Sequence, residues 1–248
     1  MSAAVMLVVG LSALFAGGIW FEIMVALVAG LAIWELARIC APSLPNVAVA
    51  LGVLSAAIFP FEQDSIGIVR IALFLIIPIG GALIIRRMPL LFLLFSLAVG
   101  FATFALVDFR NAFGVVWIFW VILVIIASDT LGYIFGKMLG GPKFWPRISP
   151  KKTWSGTIAG WVGAAIVGTV FYLLGYAQPV AILVSVLIAF AGQMGDITVS
   201  ALKRRAGIKD SSDLIPGHGG ILDRFDAMLG VFLVLGLLGL LNGEILAF

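Results

Sequence analysis

The chain has 248 residues, 63% of them hydrophobic and 11% charged, with a mean hydropathy of +1.23. Soluble domains carry about 25% charged residues, so a water-soluble globule is excluded and an integral membrane protein is expected. The formal charge of +3 points in such a chain to basic cytoplasmic loops and anionic membrane lipids, and no nucleic-acid partner is expected.

A spanning helix needs about 20 mostly apolar residues. On that measure the sequence predicts an all-α, polytopic fold with about nine transmembrane helices, at 3–19, 21–38, 45–61, 66–85, 89–107, 112–128, 154–177, 179–197 and 227–246. The first has no basic residue in its opening Met1-Ser2-Ala3-Ala4, and a second apolar stretch follows almost at once. It therefore reads as a retained span rather than a signal peptide. In the second, Glu35 and Arg38 lie one turn apart and are expected to pair near the helix end. Cys40, the single cysteine, excludes an internal disulfide and a multi-cysteine metal site; it reads as a small apolar residue. Neither an internal repeat nor a low-complexity linker divides the chain. One membrane domain is expected, with N-terminal helices over 1–111 and a C-terminal catalytic region over 112–248.

The basic residues test the helix count. If the helices alternate in direction, all Lys and Arg except Arg70 and Arg110 fall on one side, in the connections after helices two, four, six and eight. The positive-inside rule then puts two long polar loops and the N-terminus in the cytoplasm, and the C-terminus outside.

Those two polar segments are SDTLGYIFGKMLGGPKFWPRISPKKTWSG (128–156) and GQMGDITVSALKRRAGIKDSSDLIPGHGGILDRFD (192–226). Asp196 closes the eighth apolar run. A carboxylate there is costly and marks a functional site, or else it is a polar helix end. Asp223 and Asp226, three apart at the entry of the ninth helix, share a side. They suit a hard cation such as Mg²⁺, or they cap the helix and complement its dipole.

The glycines of Pro216-Gly217-His218-Gly219-Gly220 let backbone amides approach a phosphate at a helix N-terminus; a flexible interfacial hairpin is the alternative. His218 is a base, a phosphate donor or a turn residue. Lys151 and Lys152 beside Thr153 hold polyphosphate or a lipid head group, or they anchor the chain as ordinary positive-inside residues. Lys203-Arg204-Arg205 has the same two readings.

The ungapped run SALKRRAGIKDSSDLIPGHGGILDRFD, Ser200 to Asp226, resembles the signature of the phosphatidate cytidylyltransferases, the CDP-diacylglycerol synthases. SPKKTWSG is similar to that family's second motif, and SDTLGYIFGK to its polar stretch after the sixth helix. Ser155 departs from the pattern, since the family often has Glu there, and no acid role is carried over to it.

The resemblance implies that CTP and phosphatidate give CDP-diacylglycerol and pyrophosphate, with Mg²⁺ required and a monovalent cation such as K⁺ as a further cofactor. It implies Asp196 and Asp223, then Asp226, as metal ligands. Lys203, Arg204, Lys209 and Arg224, with Lys151 and Lys152, would hold phosphates, and His218 with Gly217, Gly219 and Gly220 would line the nucleotide phosphates. Asp223, Asp196, Lys209 and His218 form the expected catalytic set, and Thr153 joins the substrate-binding residues. A homodimer in a bacterial cytoplasmic membrane, its active site facing the cytoplasm, is implied as well. The competing readings are a CTP-dependent kinase of a polyprenol-type alcohol and, further off, a membrane transporter.

Overall fold

The computed structural model describes residues 2–214, 217 and 219–241. Nine helices form among them: α1 (Ser2–Ala16), α2 (Gly18–Cys40), α3 (Pro45–Asp64), α4 (Gly67–Ile84), α5 (Pro89–Phe113), α6 (Val115–Leu139), α7 (Trp154–Leu173), α8 (Val180–Ala206) and α9 (Leu222–Leu241). Seven of the described helices, α2 to α8, are long and apolar enough to cross a membrane. Their outer faces carry large apolar side chains: Ile68 and Leu83 are 78% and 76% exposed. Exposed apolar surface on that scale suits hydrocarbon rather than water.

Two helices, α6 and α8, outrun their predicted ends furthest. α6 continues through Ser128 to Leu139, and α8 continues past Ile197 to Ala206. Both extensions are free of proline, so the helical ladder persists where hydrophobicity stops. The 128–156 segment is therefore not one loop. After Gly140 and Gly141, with φ of 61° and 99°, β1 (Lys143–Trp145) pairs antiparallel with β2 (Ser149–Thr153). This hairpin is the departure from an all-α reading. Pro142, Pro146 and Pro150 favour extended and turn backbone over helix there.

The chain forms two compact units, Met1–Asn111 with Leu202–Phe225, and Ala112–Ala201 with Asp226–Phe248. In the first, α2 crosses α3 at Gly30 and Gly52. A Cβ on Gly52 would stand 2.8 Å from both the Gly30 carbonyl oxygen and Trp34 Cβ. Small residues permit such backbone approach between membrane helices. Gly52→Ala should therefore lower the thermal denaturation midpoint in detergent, at a cost of about 1–3 kcal/mol. Gly80→Ala, where a Cβ meets nothing within 4 Å, should leave the midpoint unchanged or raised; equal effects would remove the packing argument.

Arg70 and Arg110, the two exceptions to the charge segregation, both serve helix ends in this unit. Arg70 Nε donates to Ser65 O (2.6 Å) and Nη2 to Gln63 O (3.3 Å), while Arg110 Nη2 donates to Leu14 O (3.2 Å).

In the second unit α6 and α7 meet at Gly132, Gly136 and Gly156, where a Cβ on Gly156 would press into the Gly132 carbonyl and lie 3.1 Å from Gly136 Cα. Thr153 Oγ1 accepts from the Gly156 amide (3.2 Å) and so caps α7. Ser155 Oγ donates to Gly140 O (2.5 Å), tying the start of α7 to the end of α6. The 226–241 part of α9 packs on α8 through Gly195 and Gly230, with the Asp226 carbonyl against Gly195.

Candidate active site

The second unit holds a cleft of about 650 Å³ built by α6, the hairpin, the start of α7 and α8. Lys137, Lys143, Lys151 and Lys152 line it, with Asp129 and Asp196 as its acidic residues. Lys152 Nζ pairs with Asp196 Oδ2 at 2.5 Å and donates to Gln193 O at 3.4 Å. Ser200 Oγ donates to Asp196 Oδ1 (3.3 Å), and Asp129 lies within electrostatic reach of both Lys152 and Asp196.

Beneath these charges Gln193 is buried and joins three helices. Its Nε2 donates to Ser128 Oγ (3.2 Å) on α6 and Thr157 O (3.4 Å) on α7, and its Oε1 accepts from Trp161 Nε1 (3.1 Å). Four cations over a glycine-thinned helix crossing make a basin for a polyphosphate. Thr153 lines the cleft, but it is buried and its hydroxyl is engaged in the helix cap and with Ser155 Oγ (3.0 Å).

In the first unit the signature segment folds around two carboxylates. Asp223 Oδ1 is ion-paired with Lys203 Nζ, and its Oδ2 accepts from Ser211 N (2.8 Å), Ser211 Oγ (2.9 Å) and Gly220 N (3.0 Å). Burial pushes the Asp223 carboxyl up. The Lys203 hydrogen bond, the Gly220 and Ser211 amides and the Ser211 hydroxyl together pull it further down, so it lies below the ordinary carboxylate range.

The second carboxylate is Glu35 of α2, which is fully buried. Its Oε1 accepts from Ser212 Oγ (2.6 Å) and Ile221 N (2.8 Å), and its Oε2 from Ser211 Oγ and Leu222 N, both at 2.8 Å. The expected pairing of Glu35 with Arg38 is thus corrected. Four donors in a dry pocket take the carboxylate, and the exposed Arg38 guanidinium stacks over Trp34 at 5.0 Å instead.

The glycines serve close approach, and the groups that approach are protein carboxylates. Gly219 has φ 79°, and a Cβ there would stand 2.7 Å from Asp223 Oδ2; a Cβ on Gly220 would collide with Ser211 Oγ and Glu35 Oε1. Gly217 is exposed, and His218 lies outside the described residues. Arg204 and Lys209 are exposed, with Arg204 Nη1 donating to Ile208 O (3.0 Å). Arg224 is exposed at the start of α9, and Asp226 Oδ1 accepts from the Ala227 amide (2.7 Å).

The chain matches the model of the Cytidylyltransferase family over residues 1–241. It is 33% identical to the phosphatidate cytidylyltransferase of Bacillus subtilis (strain 168), over 87% of each chain. It is 34% identical to that of Staphylococcus saprophyticus, over 96% of each, and 42% identical to that of Staphylococcus aureus (strain COL) over 50% of this chain and 49% of that one. The chain belongs to the cytidylyltransferase family.

Within this family member the sequence-predicted residues divide between the two units. Lys151, Lys152, Thr153, Asp196 and Asp226 fall in the second, and Lys203, Arg204, Lys209, Gly217, Gly219, Gly220, Asp223 and Arg224 in the first. Sequence reasoning missed three participants. Asp129 stood inside the quoted SDTLGYIFGK stretch, and its place one turn before Gly132 on an unbroken helix was the available signal. Gln193 sits three residues before Asp196 in GQMGD, a polar side chain within an apolar run. Glu35 had no local signal, because its four donors lie some 176 to 187 positions further along.

No cluster of three or more His, Cys, Asp or Glu suited to a metal occurs among the described residues. The two carboxylates of the cleft still fit Mg²⁺, which binds through one or two carboxylates and completes its shell with water and substrate phosphate.

Proposed function

We infer that this cytidylyltransferase transfers the cytidylyl group of CTP to phosphatidate, giving CDP-diacylglycerol and pyrophosphate for phospholipid synthesis. The observation that carries the reading is the lysine-lined cleft with Asp129 and Asp196, in a chain that aligns with phosphatidate cytidylyltransferases over most of its length. The kinase and transporter readings are not favoured by those relatives.

An oxygen of the lipid phosphate monoester forms a bond to the α-phosphorus of CTP. The bond from that phosphorus to the bridging oxygen breaks, and its electron pair leaves with pyrophosphate. The second pKa of a phosphate monoester is about 6, so the nucleophile is largely dianionic at neutral pH and needs no strong base. The difficulty is to hold two polyanions together. Lys137, Lys143, Lys151 and Lys152 offset phosphate charge in the cleft, and Ser200 and Lys152 keep Asp196 in place.

Asp196 and Asp226, with Asp129, are the carboxylates proposed to hold Mg²⁺ in the second unit, and Asp223 is the proposed metal ligand of the first. Bound Mg²⁺ would supply Lewis-acid neutralisation of phosphate charge. Lys203, Arg204, Lys209 and Arg224 are proposed phosphate contacts, with Gly217 and His218 beside the nucleotide. A monovalent cation and a homodimer are proposed on family resemblance. The nine-span topology, with the polar segments facing the cytoplasm of a bacterial inner membrane, is proposed on charge segregation.

Purified protein in detergent should release pyrophosphate from CTP only when phosphatidate and Mg²⁺ are both present. Release of CDP instead would mark a lipid kinase. Formation of neither product would overturn the enzyme reading.

A further inference from the structure

We propose that Glu35 is a positioning residue, which holds the signature segment in register and orients Asp223 through Ser211. The inference rests on the proposed role of Asp223 but concerns a residue outside both polar segments. Glu35 is fully buried on α2, and all four of its hydrogen-bond donors belong to residues 211–222. A carboxylate in a dry pocket is retained only where donors surround it, and those among the described residues come from the segment that carries the family signature.

Two of the bonds fix the entry of α9. The Ile221 and Leu222 amides stand at the N-terminus of that helix, where donors have no helical acceptor. Glu35 takes both, one on each oxygen, and so sets where α9 begins and where Asp223, the next residue, points. The other link runs through Ser211, whose Oγ lies 2.8 Å from Glu35 Oε2 and 2.9 Å from Asp223 Oδ2. A hydroxyl has one proton to donate, so the two carboxylates share it. When Glu35 takes it, Asp223 keeps the Ser211 and Gly220 amides and Lys203. Gly220 is required because any side chain there would occupy the space of Ser211 Oγ and the Glu35 carboxylate.

Glu35→Gln tests this directly. Whichever way the amide turns, its NH₂ faces one serine hydroxyl, which can rotate and accept, and one backbone N–H, which cannot. The full chain in detergent should show kcat reduced about 30-fold, with KM for CTP and for phosphatidate within about threefold of wild type. Amide hydrogen exchange over 211–222, measured without CTP or metal, should rise about tenfold while peptides of α6 and α7 are unchanged. Glu35→Asp, which keeps the carboxyl group, should recover a substantial part of kcat. Ser211→Ala cuts the link to Asp223 and leaves the bonds to Ser212, Ile221 and Leu222. It should lower kcat with the amides of Ile221 and Leu222 still protected, and it answers the question if Glu35→Gln does not fold.

Unchanged kcat and unchanged exchange in Glu35→Gln, or wild-type kcat in Ser211→Ala, would overturn the proposal. Faster exchange with normal kcat would reduce Glu35 to a structural anchor and overturn it as well. If the wild-type chain releases no pyrophosphate, the reaction assignment fails, whereas the exchange comparison still reads the anchoring.

Discussion

Asp223→Asn is expected to lower pyrophosphate release by about 100-fold or more, the scale expected when a carboxylate that would hold the cation neutralising phosphate charge is lost. It is also expected to lower the thermal midpoint, because Lys203 is only 8% exposed and would keep a buried charge without its counter-ion. Breaking such a pair costs about 3–5 kcal/mol; the retained amide oxygen of Asn should hold the loss to the lower end. The folded-state pKa of Asp223 lies below its unfolded value. Its stabilisation is therefore complete above the unfolded value of about 3.9 and is lost as pH falls through the lower folded value. Assays at neutral pH thus report on the ionised pair.

A double variant separates the two effects. Asp223→Leu with Lys203→Met removes both charges, and such replacements are often neutral or stabilising. The midpoint should return towards wild type while turnover stays low. Turnover that returned with stability would reduce both side chains to a structural ion pair.

Asp196→Ala should show the opposite balance. Its pair with Lys152 is partly solvated, with side chains 37% and 26% exposed, and exposed pairs contribute about 0–1 kcal/mol. The midpoint should barely move. Turnover per folded molecule should nevertheless fall about 100-fold or more, with a raised Mg²⁺ requirement, if Asp196 holds the metal over the cleft. The two carboxylates are then distinguishable: one loss costs activity and stability together, the other activity alone. Near-normal turnover in Asp196→Ala would remove it from the proposed ligand set.

The helices were legible where apolar length alone decides them. Pro45 and Pro89 begin α3 and α5, at the positions from which the third and fifth apolar runs were counted. The ends of α6 and α8 were not legible, because a hydrophobicity ruler stops where hydrocarbon contact stops, whereas a helix stops where its hydrogen bonding does. Residues Ser128 to Leu139 are polar enough to leave the membrane pattern, yet nothing breaks their ladder before Gly140. Lys152 and Asp196 stand out in the sequence by their polar context, but that they pair with each other depends on β2, just ahead of α7, lying against α8. The glycines of the signature read in the sequence as space for phosphate or as a flexible hairpin; Gly219 lies against Asp223, four residues on, whereas the approach of Gly220 to Glu35 follows from a contact with α2 that no local spacing encodes.

Gln193 has a consequence for how the cleft responds to its medium. The ties it makes to Ser128, Thr157 and Trp161 are neutral dipoles in a buried position, and mobile ions do not weaken them. The lysines above face solvent, where fields fade over about 8 Å at physiological ionic strength and about 3 Å in molar salt. Capture and framework therefore differ in their sensitivity to salt: added electrolyte loosens the grip on the nucleotide while the helices that shape the basin hold their spacing.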